Sequence, residues 1–409
     1  MTQRYDTYKD SGVQWLGEIP GHWGCVPLKR ICEMKSGNNL TSLDILDAGD
    51  FPVYGANGFR GYYNQFNKEG KYILIGRQGA LAGNVHLVDG KFWATDHAIV
   101  VTLTSNKVYV DYMSFALISM NLNQYAFDTA AQPGLAVSKI IPISAPLPPL
   151  SEQHSIVSYL DDRCGKIDEW VTKKQKEVEH LQELKQRVIA DAVTRGLNPY
   201  VKMKATNIPW LKEIPEHWEV KPIRAILREN TDKTETGDEE LLSLSQYTGI
   251  SRKKDAAKIG MFEAESTIGY KKVHPGQFVM NIMLAWNGSY AVSEFEGIIS
   301  PAYCVFDFIS KDEKMYYNYL WRLSMYQGAF KTESRGIIDS RLRLYPSKFL
   351  PFPTICPPIE EQKQIVSYLD AKCAKIDKLI ANITKEIECI KEYKQRLISD
   401  VVTGQIKVC

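Results

Sequence analysis

Two stretches of the chain carry apolar residues at the spacing of a helix with one buried stripe. Cys164, Val171, Val178, Lys185 and Ala192 recur every seventh residue, with Ile167, Lys174, Leu181 and Val188 between them. The same spacing returns in Cys373, Ile380, Ile387, Lys394 and Val401, interleaved with Ile376, Ile383, Ile390 and Leu397. This alternation of threes and fours predicts two long helices whose seams pack as a coiled coil. Lys185 and Lys394 interrupt the seams at matched places, a pattern that suits either setting the register or snorkelling, and the second is expected, with long stems covering apolar surface while the ammonium groups reach water. Elsewhere the pattern shortens to apolar runs bounded by Gly, Asn and Pro. Residues 71–75 and 98–103 read as strands and 110–118 as a helix; in the second half 277–282 and 303–306 read as strands and 313–325 as a helix. The expected fold class is mixed α/β or α+β, with two globular segments and two long helices.

The helices belong to a larger repeat. Pro148-Pro149-Leu150-Ser151-Glu152-Gln153 precedes the first and Pro357-Pro358-Ile359-Glu360-Glu361-Gln362 the second. Ile156-Val157-Ser158-Tyr159-Leu160-Asp161 returns as Ile365-Val366-Ser367-Tyr368-Leu369-Asp370, Lys166-Ile167-Asp168 as Lys375-Ile376-Asp377, and Lys185-Gln186-Arg187 as Lys394-Gln395-Arg396. Upstream, Trp15-Leu16-Gly17-Glu18-Ile19-Pro20-Gly21-His22-Trp23 is matched by Trp210-Leu211-Lys212-Glu213-Ile214-Pro215-Glu216-His217-Trp218. Self-similarity on this scale implies an internal duplication in the order globe, helix, globe, helix. The expected boundaries are 1–147, a first helix 148–196, a linker 197–209, 210–356, and a second helix 357–409. A helix of that length spans about 65 Å. With so short a linker, the second helix is expected to run back antiparallel to the first, giving a pseudo-twofold. Outside the shared openers the two globes barely resemble each other.

Composition narrows the chemistry. The formal net charge is +2 over 409 residues, so an anionic partner must be argued from local clusters. The eight cysteines lack paired metal-ligand spacing, which favours reduced thiols over disulfides or zinc. The polar N-terminus and the absence of a long apolar run point to a cytoplasmic chain without membrane contact. No nucleotide-binding glycine loop and no methyltransferase Asp/Asn-Pro-Pro-aromatic tetrad is present, so neither a catalytic residue nor a metal site is expected. Glu183-Leu184-Lys185 and Glu392-Tyr393-Lys394 lie on the long helices and read as solvated pairs, and His22 and His217 are expected to pack or cap locally.

Candidate nucleic-acid contacts sit in turns and basic runs. In the first globe they are Asn57 and Arg60 of Asn57-Gly58-Phe59-Arg60-Gly61, Arg77 and Gln78 of Gly76-Arg77-Gln78-Gly79, and Lys139. In the second they are Arg252, Lys253, Lys254, Lys271, Lys272, Arg335, Arg341 and Arg343. Arginine and glutamine suit the edges of guanine and adenine, whereas basic runs more often touch phosphates. The glycines that flank Arg77 and Arg60 equally suit ordinary hairpin turns.

The duplicated Pro-Pro-Leu/Ile-x-Glu-Gln stretch, the Tyr-Leu-Asp, Lys-Ile-Asp and Lys-Gln-Arg steps and the Trp-Leu-x-Glu-Ile-Pro-x-His-Trp openers resemble the DNA-specificity subunit of type I restriction–modification systems. The resemblance covers nearly the whole chain. Ile75-Gly76-Arg77-Gln78-Gly79, Phe92-Trp93-Ala94-Thr95-Asp96 and Gln132-Pro133-Gly134-Leu135 also look like that family's first recognition domain. The resemblance implies a non-catalytic subunit whose two target-recognition domains each read one half of an asymmetric, bipartite sequence in double-stranded DNA. It implies that the helices form an antiparallel spacer and dock two methyltransferase subunits and restriction/helicase subunits. S-adenosylmethionine then belongs to the methyltransferase, ATP and Mg to the restriction subunit, and this chain needs no cofactor. Two other readings remain: a self-sufficient DNA-modifying or cleaving enzyme, and a coiled-coil adaptor with no DNA role.

Overall fold

The computed structural model describes residues 4–79, 81–126, 134–246, 249–255, 266–336 and 342–408. The chain divides into two compact units, Met1–Lys176 with Ile383–Cys409, and Glu177–Asn382.

The first unit contains β1 (Tyr8–Asp10), β2 (Glu18–Pro20), β3 (Gly24–Pro27), β4 (Cys32–Ser36), β5 (Phe51–Gly55), β6 (Gly58–Tyr63), β7 (Lys68–Glu69), β8 (Tyr72–Gly76), β9 (Val85–Val88), β10 (Lys91–Ala94) and β11 (Ala98–Leu103). Helices α1 (Val110–Ser119) and α2 (Val137–Ile140), strand β12 (Ser144–Leu147) and the start of helix α3 (Leu150–Arg195) follow. The central sheet has the order β4-β11-β8-β9, and a second sheet the order β6-β5-β10-β7. Strand alternation explains the layering. Ile73 and Ile75 of β8 and Ile99 and Val101 of β11 point into a core shared with α1 and the long helices. Leu74 and Val100, one residue out of phase, point into a smaller core with Phe92 and Ala94 of the second sheet. A strand buried on both faces reads as a continuous apolar run, which is why the sequence marks β8 and β11 clearly.

The second unit repeats the plan with other residues. After α3 come β13 (Met203–Ile208), β14 (Leu211–Pro215), β15 (Glu219–Pro222), β16 (Leu227–Asn230), β17 (Leu242–Ser245), β18 (Gly249–Arg252), β19 (Lys271–Val273), β20 (Phe278–Asn281), β21 (Tyr290–Val292), β22 (Gly297–Ile299) and β23 (Tyr303–Phe308). Then follow α4 (Lys314–Trp321), α5 (Ser324–Glu333), α6 (Pro346–Phe349), β24 (Pro353–Cys356) and α7 (Ile359–Val402). Its central sheet, β16-β23-β20-β21, has the same connectivity as the first. Phe278, Met280, Cys304 and Phe306 face the helical core, and Val279 and Val305 face a small core with Leu242, Leu244 and Ile250. The expected linker carries β13, which pairs with β14 as β1 pairs with β2, Met203 opposite Pro215 and Tyr8 opposite Pro20. Its polar composition hides a strand with few inward residues. The helix expected over 313–325 breaks at Leu323, whose extended backbone (ψ 140°) separates α4 from α5.

Each unit holds parts of both long helices, packed antiparallel. In the first, Ile156, Val157, Leu160 and Cys164 share a core with Leu397, Ile398, Val401 and Val402, and Asp168 meets Lys394 further on. In the second, Ile189, Ala192 and Val193 share a core with Ile365, Leu369 and Cys373, and Lys185 meets Asp377. The seam predicted from the heptads is the covered face. Val171, Ile383, Ile387 and Leu397 are buried and Ile167 and Ile390 half-buried in the first unit; Ile376 is buried and Val178, Leu181, Val188 and Ile380 half-buried in the second. The two seam lysines correct one expectation. Rather than ending in water, Lys185 Nζ bonds both carboxylate oxygens of Asp377 at 2.7 Å, and Lys394 does the same with Asp168. The acceptors are the aspartates of the repeated Lys-Ile-Asp steps, and only the antiparallel register brings them within reach. No described helix is long and apolar enough to cross a membrane.

Candidate nucleic-acid interface

The site rests on a clamp that fixes each globe to the start of its helix. Trp23 is fully buried and donates its indole N–H to Glu152 Oε2 at 2.9 Å, while His22 Nε2 meets Glu152 Oε1 at 2.6 Å. Trp218 and His217 make the same pair of bonds to Glu361 Oε2, at 3.0 and 2.8 Å. Burial pushes the Glu152 carboxyl up, but hydrogen bonds from Trp23, His22 and Tyr5 outweigh it and hold the group below its usual range. The next residue completes the clamp. Gln153 donates to the carbonyls of Lys107 and Pro148 and accepts from the Tyr109 N–H; Gln362 donates to the Pro357 carbonyl and Asp312 and accepts from the Glu313 N–H. His22 and His217 therefore serve structure, through helix starts far along the chain rather than through their own turn.

In the first unit several loops converge at one end of the central sheet. Strand β11 is antiparallel to both β4 and β8, so its start lies beside their ends. The approach is close enough to demand glycine: a Cβ on Gly37 would stand 2.2 Å from the Ala94 carbonyl oxygen, and one on Gly76 would stand 2.3 Å from that of Ala56. Arg77 is anchored among these loops. Its N–H donates to the His97 carbonyl, its own carbonyl accepts from Leu135, and its guanidinium reaches Ser36 Oγ at 3.2 Å and the Asp96 carbonyl at 3.4 Å. Gln78 is half-buried and forms a bridge with Gly134, while Asn57 and Arg60 are exposed at the β5–β6 hairpin beside Gly76. Lys139 is exposed on α2. Sequence reasoning missed three members of this cluster: Thr95 Oγ1, Asp96 Oδ1 and His86 Nε2 are enclosed polar atoms without a bonding partner among the described residues. Thr95 and Asp96 stand in the Phe92–Asp96 motif, which was the signal available for them.

The second unit builds the same place from different side chains. Ile282 takes the backbone position of Arg77, donating to the Ala302 carbonyl and accepting from Leu344. The loop it begins is closed by Asn281 N–H bonding the Ser289 carbonyl, as Gly76 bonds Asn84, so both loops have the same length. Here the loop exposes Met283 and Leu284, and Lys331 Nζ lies 4.8 Å from the centre of the Trp286 ring. Arg335, exposed, and Arg343, half-buried, exchange backbone bonds of 2.9 Å beside Leu344. Arg341 lies outside the described residues.

The basic runs of this unit are largely compensated. Arg252 and Lys254 both pair with Glu240, at 3.1 and 2.7 Å, and Lys272 lies 3.6 Å from Glu239. Lys271, with a side chain only 12% exposed, lies 3.6 Å from Glu229. Lys253 is half-buried and bonds the Leu241 carbonyl through its backbone. Counting basic residues along the chain does not see the acids that strand pairing brings alongside them. The folded chain thus places Asn57, Arg60, Arg77, Gln78, Arg335 and Arg343 at the two loop clusters and supplies Arg252, Lys254, Lys271 and Lys272 with carboxylates.

Comparison with known proteins finds the same repeat. The type I restriction modification DNA specificity domain matches twice, at residues 20–194 and 215–389. The EcoprrI specificity subunit of Escherichia coli, a type I restriction enzyme component, is 39% identical over 164 residues, a match that spans 39% of this chain and only 40% of that protein. A putative type I restriction enzyme specificity subunit of Haemophilus influenzae is 24% identical over 366 residues, 85% of this chain and 86% of that one. Among solved structures, a chain described in work on complex assembly and conformational transition of the type I R-M system shares the fold, with a TM-score of 0.62 at 15% identity over 94% of this chain and 98% of that chain. Matched twice over by one domain, and built twice on one clamp and one sheet, the chain belongs to the type I restriction–modification DNA-specificity family and carries two target-recognition domains.

Proposed function

We propose that the chain is the non-catalytic specificity subunit of a type I restriction–modification complex, acting in the cytoplasm. Recognition domain 1–147 reads one half of an asymmetric, bipartite DNA sequence and 210–356 reads the other. Helical segments 148–196 and 357–409 dock two methyltransferase subunits and the restriction subunits. The observation that carries this reading is the contrast between constant frame and variable loops. One backbone position holds Arg77 in the first unit and Ile282 in the second, with the same hydrogen bonds on either side. Side chains that differ on a shared frame are what two readers of different half-sites require. Arg60, Asn57 and Gln78 are exposed or half-exposed groups able to bond base edges, whereas Arg335 and Arg343 suit phosphates. Co-expression with a methyltransferase subunit, followed by mapping of methylated adenines, tests the reading. A split motif with two unlike halves is expected; no motif, or one contiguous palindrome, overturns it.

A further inference from the structure

Between α3 and the corner joining α4 to α5, the second unit contains a cleft of about 730 Å³. Three cations line it, Lys185, Arg187 and Arg322, and no carboxylate does. Lys185 is already paired with Asp377. Arg187 is exposed on α3 and has no acidic partner among the described residues. Arg322 differs because it is half-buried, at the end of α4, and its acceptors among the described residues are neutral carbonyls: Tyr290 at 2.8 Å and Gln246 at a long 3.4 Å. Its Nε–H is enclosed without an acceptor among the described residues, and Oδ1 of Asn318, one helical turn earlier, is enclosed without a donor. Burial pulls the guanidinium below its ordinary value, yet an arginine keeps its proton in proteins. Among the described residues Arg322 bonds no carboxylate, Glu294 lining only an adjoining cleft that Arg322 and Asn318 also border, and a half-buried cation without a bonded counter-charge is costly unless an anion supplies one. The first unit offers a contrast. Counting from the backbone N–H groups held by Gln153 and Gln362, at Tyr109 and Glu313, the position of Arg322 falls on Ile118, whose carbonyl is taken by Gln395.

We propose that this cleft is an oxyanion site, centred on Arg322 with Arg187 at its mouth, that takes a phosphate group. The forked guanidinium matches phosphate geometry, and the cleft is large enough for a phosphate with more of its parent molecule attached. The phosphate comes either from a free phosphate compound or from the backbone of bound DNA. Melting of the full-length chain in inorganic phosphate, against chloride at equal ionic strength, tests the site. A saturable rise in Tm of about 2–4 °C is expected. Arg322→Gln abolishes the rise. Asn318→Asp, which places a carboxylate one turn from Arg322, raises the Tm without phosphate and makes phosphate ineffective. The second variant keeps the test valid even where the first folds poorly. A phosphate response equal to that in chloride, or unchanged in Asn318→Asp, overturns the proposal. Repeating the titration with saturating random-sequence duplex separates the sources: loss of the phosphate response assigns the site to the DNA backbone, and its persistence assigns it to a free compound.

Discussion

At the scale of single residues, Glu152 and Glu361 carry the frame. Each accepts an indole N–H from a fully buried tryptophan, and removing the acceptor strands that donor in the core. Glu152→Ala should lower the stability of the protein by about 1–3 kcal/mol, the usual cost of an unsatisfied buried donor, read as a shift in urea midpoint. The charge adds a pH dependence of definite sign. The folded carboxyl titrates below its unfolded value, so its contribution is complete above the unfolded value and is lost as pH falls through the folded one. Wild-type and Glu152→Gln proteins should therefore differ most in Tm near neutrality and converge below about pH 4. A gap that stays constant across that range would show that the charge contributes nothing. Sequence alone hints at this clamp, because His-Trp and Glu-Gln recur together in both copies. It does not reveal the bonding, since partners 129 and 143 residues apart meet only in the fold.

At the scale of elements, the long helices were the most legible part. Period and caps are local properties, and α3 and α7 run over Leu150–Arg195 and Ile359–Val402 as the heptads indicate. Register between helices is not local, and that is where Lys185 and Lys394 escaped. The pairs are partly exposed, with Lys185 at 27% and Asp377 at 55%, so their value is modest. A double-mutant cycle with Lys185→Met and Asp377→Asn should give a coupling of about 0.5–1 kcal/mol that shrinks in high salt. A coupling indistinguishable from zero at low salt would mean that the matched lysines only cover apolar surface. Short strands were less legible for a similar reason. β13 and β19 have few inward side chains, and the charge of Lys271 on β19 is met by Glu229 of β16, in another sheet.

For the molecule as a whole, the duplication separates what must stay constant from what can change. The openers, helix starts and seams repeat because each unit needs the same clamp and the same pair of helical segments. The central sheets keep their order while almost every inward residue differs, Ile73 and Ile75 in one and Phe278 and Met280 in the other. A core tolerates such exchange where volume and alternation are kept. The loop clusters sit on these sheets and diverge most, from Arg77-Gln78 to Ile282-Met283, which is why no candidate base contact in one globe predicts its counterpart in the other. On the proposed function, residues 1–147 act as a transferable reader as long as Trp23 and His22 find Glu152 in the recipient and the globe's core finds the helix residues that complete it, Ile156 and Leu160 of α3 and Leu397 and Val401 of α7. Replacing 1–147 with the corresponding segment of a relative should therefore change one half of the methylated motif and leave the other as it was. Mapping methylated adenines from the hybrid with its methyltransferase checks this. A change in both halves would mean that the two globes do not read independently, and that the variable loops act through the shared helices rather than at the DNA alone.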